Sequence, residues 1–411
     1  MQAYKHQKEI LNDPRKKLLL AWDTGTGKTY GAELLTQKWG AKCLIVVPKS
    51  IHSKWTFMEE QGHYVITKEW FRDHLGEVID EARGLGLDGI IIDEAHYFSG
   101  IKSGMTKGLT RYLKIMNPDY MWLLTATPYL STPWNVFTLG KHLGFNPDYN
   151  KFRKMFFTQI KMGMRYIWKP KQKTKLSGVT HLVDDVLNTI LAKFTIWVDF
   201  EDVARDNNIE FDTSKQTKKL HYLHQGLQQI KKQAVLVQEG IALWTKKHTV
   251  QNGFYEDEYE KLEHFEDPKL MHILSTAKEQ PKLAIVCRYH RQIERYKEAL
   301  ESQGHKEIHI IKGGIKDIEN YADEINSMDN AIVIIQANVS EGYQLPSFPY
   351  VIFASLSFGY KDFKQMFGRF LRVDAITPTH ADILLMVDGV DIDVYKSVSK
   401  KQDFYLQKIK L

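Results

Sequence analysis

Over the first 145 or so residues, short apolar runs alternate with helix-like stretches: Leu18–Trp22, Cys43–Val47, Gly89–Asp93 and Met121–Thr125 each precede a turn and a helical pattern. That alternation predicts a parallel sheet with crossover helices. A second set of runs, Leu283–Cys287, Ile308–Ile311, Ala331–Ile335, Val351–Ala354 and Ile383–Val387, predicts a second lobe of the same kind. From about Lys141 to Gln280 the pattern turns to long polar stretches such as Leu220 to Lys247, rich in Lys, Gln and Glu, with apolar residues at helical spacing. The expected class is α/β. Two parallel-sheet lobes cover residues 1–145 and 281–411, the second ending in a helix, and a mostly helical insertion covers 146–280.

Composition fits this plan. A chain of 411 residues suits two or three domains at roughly 150 residues each. With 43% apolar and 26% charged residues it lies far from disordered chains. The two cysteines, Cys43 and Cys287, belong to no CxxC or Cys/His cluster, which argues against a zinc site or a disulfide framework and fits a reducing cytoplasm. No apolar run approaches the roughly 18 residues of a membrane span, and Met1 to Lys17 lacks the apolar stretch of a signal peptide. The expectation is a cytoplasmic protein with no membrane partner.

Charge changes the picture locally. The net excess is +6, yet Lys151 to Lys175 alone holds nine basic residues and no acid, so the remainder of the chain carries −3. Within that segment Phe152, Phe156, Phe157, Tyr166 and Trp168 interleave with the cations. Such a mixture suits a groove that holds a nucleic-acid backbone while rings stack on bases. The spacing of Phe152, Phe156 and Phe157 equally suits a helix packing its apolar face.

The first strand-like run ends in Trp22-Asp23-Thr24-Gly25-Thr26-Gly27-Lys28-Thr29. Strand, glycine loop and helix come in the order of a phosphate-binding (Walker A) loop. Backbone N–H groups freed by Gly25 and Gly27 can wrap phosphate oxygens, Lys28 can reach the β and γ phosphates, and the Thr29 hydroxyl can hold Mg²⁺. Trp22 stands where the general pattern has its first glycine. The run Gly89–Ile92 ends in Asp93-Glu94-Ala95-His96. A carboxylate at the tip of a neighbouring strand can hold the metal, so Asp93 is the expected holder, and Glu94 can polarise the attacking water as general base. Outside this stretch, the acids and histidines form no spacing that defines a metal site.

Gly25–Thr29, the Asp93–His96 DEAH box and then Leu124-Thr125-Ala126-Thr127-Pro128 resemble motifs I, II and III of superfamily 2 helicases and translocases. Gln365-Met366-Phe367-Gly368-Arg369-Phe370-Leu371-Arg372 resembles motif VI, and Ile332 to Leu345, with Glu341 and Gly342, resembles motif V. Leu44 to Ser50 followed by Trp55 is similar to motif Ia of the Swi/Snf-like branch, and Tyr4-Lys5-His6-Gln7 to its adenine-reading element. One departure lies at Ile196 to Val203, where the branch usually has paired arginines and this chain has none. The length leaves no room for remodeller accessory domains, so a compact phage or mobile-element member is the nearer comparison.

The resemblance implies two RecA-like lobes and an ATP-hydrolysing, DNA-directed enzyme. ATP would be held by Gln7, Thr24, Gly25, Thr26, Gly27, Lys28, Thr29, Glu341 and Gly342, and Mg²⁺ by Thr29 and Asp93. Lys28, Glu94, Gln365, Arg369 and Arg372 would be catalytic, the two arginines as fingers on the γ-phosphoryl group. Pro48, Lys49, Ser50 and Ser340 would grip DNA phosphates, joined by Lys169, Lys171, Lys173 and Lys175 of the basic segment. The expected partner is single-stranded, duplex or branched DNA, together with a single-stranded-DNA-binding or replication protein, in a host cytoplasm if the gene is a phage's. Two other readings stay open: a nucleotide-gated clamp or loader that docks a partner protein on the polar stretch Leu220 to Glu266, and a motor whose track is RNA.

Overall fold

In the computed structural model, residues 3–23, 25–128, 132–162, 165–176, 179–198, 203, 206, 217–226, 232, 241–256, 261–315, 317–339, 342–370, 379–387 and 389–400 are described. The chain divides into two compact units, Met1–Glu210 and Phe211–Leu411. Along the first run strands β1 (Lys17–Trp22), β2 (Cys43–Val47), β3 (Tyr64–Thr67), β4 (Gly89–Ile92) and β5 (Tyr120–Leu124). Two antiparallel hairpins follow, β6 (Phe157–Met162) with β7 (Arg165–Pro170) and β8 (Lys173–Leu176) with β9 (Val179–Leu182), and then β10 (Thr195–Val198). The second unit contains β11 (Thr217–Leu223), a hairpin of β12 (Phe254–Glu256) and β13 (Leu262–His264), β14 (Lys282–Cys287), β15 (Ile308–Ile311), β16 (Ala331–Gln336), β17 (Tyr350–Phe353) and β18 (His380–Met386).

Each unit is built on one six-stranded sheet, in the order β10-β1-β5-β4-β2-β3 in the first and β11-β18-β17-β14-β16-β15 in the second. Every neighbouring pair in both sheets runs parallel. This is the expected two-lobed RecA-like α/β class.

The apolar runs are continuous because parallel strands are covered on both faces. In the first sheet Leu19, Leu44, Val46, Ile90, Ile92, Met121 and Leu123 pack into one core, while Leu18, Leu20, Trp22, Ile45, Ile91, Trp122 and Leu124 pack into another. The period of two along each strand divides the side chains between the layers. Helices cover both sides: Lys28–Trp39 lies on one core, and Leu75–Gly84, Gly104–Met116 and Pro133–His142 lie on the other. The second sheet is covered in the same way, with Ile318–Ser327 and Val390–Ser399 on one face and Pro268–Glu279 and His290–Ser302 on the opposite one.

The stretch 146–280 contributes strands as well as helices. Strand β10 borders the first sheet and β11 borders the second, where helical spacing had been expected from Leu220 onward. In the basic segment, helix Tyr149–Phe156 gives way to the two hairpins. Phe152, Phe156 and Phe157 are buried in the core beside Trp134 and Phe137, so these three rings are packing groups and cannot stack on bases. Strand β8 alternates: Thr174 is buried and donates to the Met155 carbonyl, while Lys173 and Lys175 face solvent.

Within the second unit, helix Ile241–Gln251 is tied in by buried polar groups. The Lys269 ammonium, fully buried, lies 2.6 Å from the Asp391 carboxylate and donates to Asn252 Oδ1 at 2.9 Å; His248 Nε2 lies 2.7 Å from the other Asp391 oxygen. Both cysteines are free and buried. Among the described residues, no helix is long and apolar enough to cross a membrane.

His142 ends helix Pro133–His142 and packs its ring nitrogen Nε2 3.3 Å from the Phe98 carbonyl. Burial lowers its pKa from 6.5 to about 4. Below pH 6.5 the unfolded chain takes up a proton that the folded chain refuses until about pH 4, so stability falls as pH drops through that window, by up to about 3 kcal/mol from this residue. Urea denaturation at pH 7 and pH 4.5 should show a smaller loss for His142→Gln than for the wild type; equal losses would remove His142 as a cause.

Candidate active site

At the carboxyl end of β1 the chain turns through Asp23, Gly25, Thr26 and Gly27 into helix Lys28–Trp39. Gly25 and Gly27 have φ of +82° and +78°. At Gly27 a second constraint applies, because a Cβ there would lie 2.3 Å from the Gln7 amide nitrogen. The loop carbonyls are held by side chains. Lys28 Nζ donates to the Trp22 and Asp23 carbonyls at 3.0 and 3.1 Å, and the Thr26 hydroxyl donates to the Asp23 carbonyl at 2.7 Å. Gln7 Nε2 donates to the Gly27 carbonyl at 3.2 Å, while His6 Nε2 lies 2.9 Å from that of Thr26.

Gln7 is buried, and its amide oxygen accepts from the Tyr4 N–H at 2.8 Å. The side chain expected to read adenine thus also supports the loop. Thr29 follows Lys28 on the first turn of the helix, half-buried. Thr24 lies outside the described residues.

Trp22, at the position of the missing first glycine, is fully buried, with His6 edge-on to its ring at 4.7 Å. Its bulk fits because the helix carries Gly31 opposite it: a Cβ there would lie 2.5 Å from the indole.

Asp93 and Glu94 follow β4, the second strand over from β1. Asp93 is buried, with Oδ2 accepting from the Trp55 indole at 3.1 Å and Oδ1 from the Glu94 N–H at 2.9 Å. Burial, and then the adjacent Glu94 charge, push its carboxyl up to about 7, against the pull of nearby Lys28. Glu94 adopts φ 51° and ψ 50°, a left-handed backbone that costs an L-residue energy and turns its side chain off the line of the strand. Glu94 Oε2 lies 3.1 Å from His96 Nδ1, which in turn lies 3.2 Å from the Thr125 hydroxyl at the end of β5. The Thr125 hydroxyl also accepts from the Thr127 N–H at 3.1 Å. The T-x-T spacing thus closes a turn and contacts the DEAH histidine, two roles that motif order alone does not reveal.

The structure therefore brings Lys28, Asp93, Glu94, His96 and Thr125 to the carboxyl edge of one sheet, the edge where open parallel sheets receive ligands. Pro48 is buried at the end of β2, with Lys49 exposed and Ser50 half-buried after it.

In the second unit Gln365 and Arg369 are both buried. Arg369 Nη1 donates to the Tyr343 carbonyl at 2.8 Å, and the Arg369 carbonyl accepts from the Leu345 N–H, so this arginine braces the turn that starts at Gly342. Ser340, Glu341 and Arg372 lie outside the described residues. Of the basic segment's lysines, Lys171 donates to the Lys154 carbonyl at 2.7 Å, Lys169 is half-buried, and Lys173 and Lys175 are exposed.

The Trp22–Gly31 fit can be tested directly. Gly31→Ala should destabilise the protein by about 1–3 kcal/mol through overpacking against the indole, read as a lower denaturation midpoint. A midpoint equal to the wild type's would show that the ring does not rest on the helix.

No family model matches the chain, and no curated protein matches it in sequence. Solved structures do match. The Sulfolobus solfataricus SWI2/SNF2 ATPase core in complex with dsDNA aligns at 15% identity and a TM-score of 0.41, over 100% of this chain and 93% of that one. The Pyrococcus furiosus Hef helicase domain aligns at 12% identity and a TM-score of 0.54, over 96% and 98%. With its two parallel-sheet lobes, the chain shares the fold of the Hef helicase domain.

Proposed function

We propose that the chain is an ATP-dependent DNA translocase or helicase that couples ATP hydrolysis to movement on, or remodelling of, branched or duplex DNA, in phage replication, recombination or repair. The observation that carries this reading is the convergence of Lys28, Asp93, Glu94 and Thr125, from three separate loops, at one sheet edge.

The donor set fits Mg²⁺. The Thr29 hydroxyl and the Asp93 carboxylate are hard oxygen ligands, and a buried Asp93 beside Glu94 is a place where a cation relieves electrostatic cost. Mg²⁺ held there would neutralise charge on the β and γ phosphates. Loop N–H groups bind the phosphates while Lys28 exchanges its carbonyl partners for phosphate oxygens. Glu94, oriented by His96, accepts the proton of the attacking water. Arg369 and Arg372 supply positive charge to the transferred group on this reading. Lys49, Ser50 and Ser340 grip phosphates without reading sequence, Pro48 sets the chain direction ahead of them, and the exposed Lys173 and Lys175 extend the track.

Hydrolysis measured with single-stranded DNA, duplex DNA, forks and RNA tests the proposal. DNA should stimulate the wild type, and Lys28→Ala should lose about a hundredfold or more of the rate. Glu94→Gln should bind ATP and DNA yet turn over at least about a hundredfold more slowly. Wild-type turnover by Lys28→Ala would end this reading; stimulation by RNA or by a partner protein alone would favour an RNA motor or a clamp.

Replacing Lys169, Lys171, Lys173 and Lys175 with Gln should weaken DNA affinity and flatten the slope of log K against log salt by about 0.7–0.9 for each phosphate that is no longer neutralised. Unchanged affinity and slope would make the segment an ordinary solvated face.

A further inference from the structure

At the amino edge of its sheet, the second unit gathers three histidines around one carboxylate. Asp382 is the third residue of β18, and its side chain is 1% exposed. His221 Nε2 lies 2.7 Å and His380 Nε2 3.0 Å from its Oδ1, His272 Nε2 lies 3.0 Å from its Oδ2, and the Tyr350 hydroxyl donates to Oδ2 at 2.8 Å. The register explains the meeting. Thr217 pairs with His380 and Lys219 with Asp382, so His221, two residues further along β11, shares their face of the sheet. Helix Pro268–Glu279 covers that face and brings His272 down onto it. Tyr350 and His380 are the first residues of their strands, at the amino edge of the sheet, whereas ligands of open parallel sheets bind at the carboxyl edge.

We propose that His221, His272 and Asp382 bind one divalent first-row transition-metal ion, with Zn²⁺ the foremost candidate. Their ligand atoms lie within 4.8 Å of one another. Bonds of about 2.0–2.2 Å to a shared ion require these atoms to approach to within about 4 Å, a movement of side-chain scale. Two imidazoles and one carboxylate favour Zn²⁺, Co²⁺ or Ni²⁺ over Mg²⁺ or Ca²⁺, which take oxygen ligands. His221 and His272 are 19% and 23% exposed, so an ion has a path in, while the carboxylate is shielded from competing water. His380 and Tyr350 occupy other lone pairs of Asp382 and fix its orientation, the usual task of groups behind a metal ligand. The ion cross-links β11, which among the described residues pairs with β18 alone, to that strand and to the covering helix. Its effect is to fasten the border of the second sheet, independently of nucleotide.

The test is titration of the untagged full chain with Co²⁺, without Mg²⁺ or ATP, followed by visible absorption. Binding of one Co²⁺ per chain, displaced by Zn²⁺, is expected, together with a Zn²⁺-dependent rise in the thermal midpoint. His272→Gln should weaken Co²⁺ binding by well over about a hundredfold, whereas His380→Gln, behind the ligands, should weaken it by about ten- to a hundredfold. Absence of saturable binding to the wild type at micromolar metal overturns the proposal, as does wild-type affinity in His272→Gln. Should a variant fail to fold, the wild-type titration decides alone.

Discussion

A glycine-rich turn leaves its peptide groups without helix or strand partners, so each of its buried carbonyls needs a donor from elsewhere. In this chain that requirement shapes the turn after β1. The carbonyls of Trp22, Asp23, Thr26 and Gly27 are taken by Lys28, the Thr26 hydroxyl, His6 and Gln7. The N-terminal helix Lys5–Glu9 therefore has a structural task, since it carries two of these partners. At Gly27 the left-handed backbone and the Gln7 amide, which occupies the space a side chain would fill, each call for glycine. Buried hydrogen bonds of this kind contribute modestly when made and cost more when one partner is removed, which makes the loop sensitive to changes at Gln7 as well as at its glycines.

The same logic of buried polar groups runs through the carboxylates. Asp93 is buried beside a like charge, and Trp55, Lys28 and the Glu94 N–H hold it there. Glu94 keeps a strained backbone that the surrounding structure must support. In the second unit the Lys269–Asp391–His248 group fixes a helix to a sheet with charge. A pair of this sort gives position more than stability, because desolvation offsets much of the attraction.

The central strands were legible in the sequence because burial on both faces leaves an unbroken apolar run, as in Leu18–Trp22 or Ala331–Ile335. The border strand β11 was not, since a strand with one neighbour tolerates polar residues such as Lys218 and Lys219, which resemble a helix surface; β3 and β10, of four residues each, give runs too short to stand out. Phe152, Phe156 and Phe157 fitted either a core or a stacking surface until packing decided for the core. The loop, the DEAH box and the threonines after β5 were visible because they are contiguous. The cluster at Asp382 was not visible, because residues 221, 272 and 382 meet only through strand register and helix cover. The expectation against zinc came from neighbouring cysteines and histidines, a signal to which such a site contributes nothing.

The pairing of Trp22 with Gly31 bears on how relatives of this chain are to be found. A search pattern that demands a glycine at the head of the loop passes over it. The constraint that operates here links two positions on either side of the loop, large before it and absent after it, so the apt pattern is W-x-x-x-x-G-K-T-x-G. In an alignment of relatives these two columns should change together, with a side chain appearing at the second wherever the first becomes small.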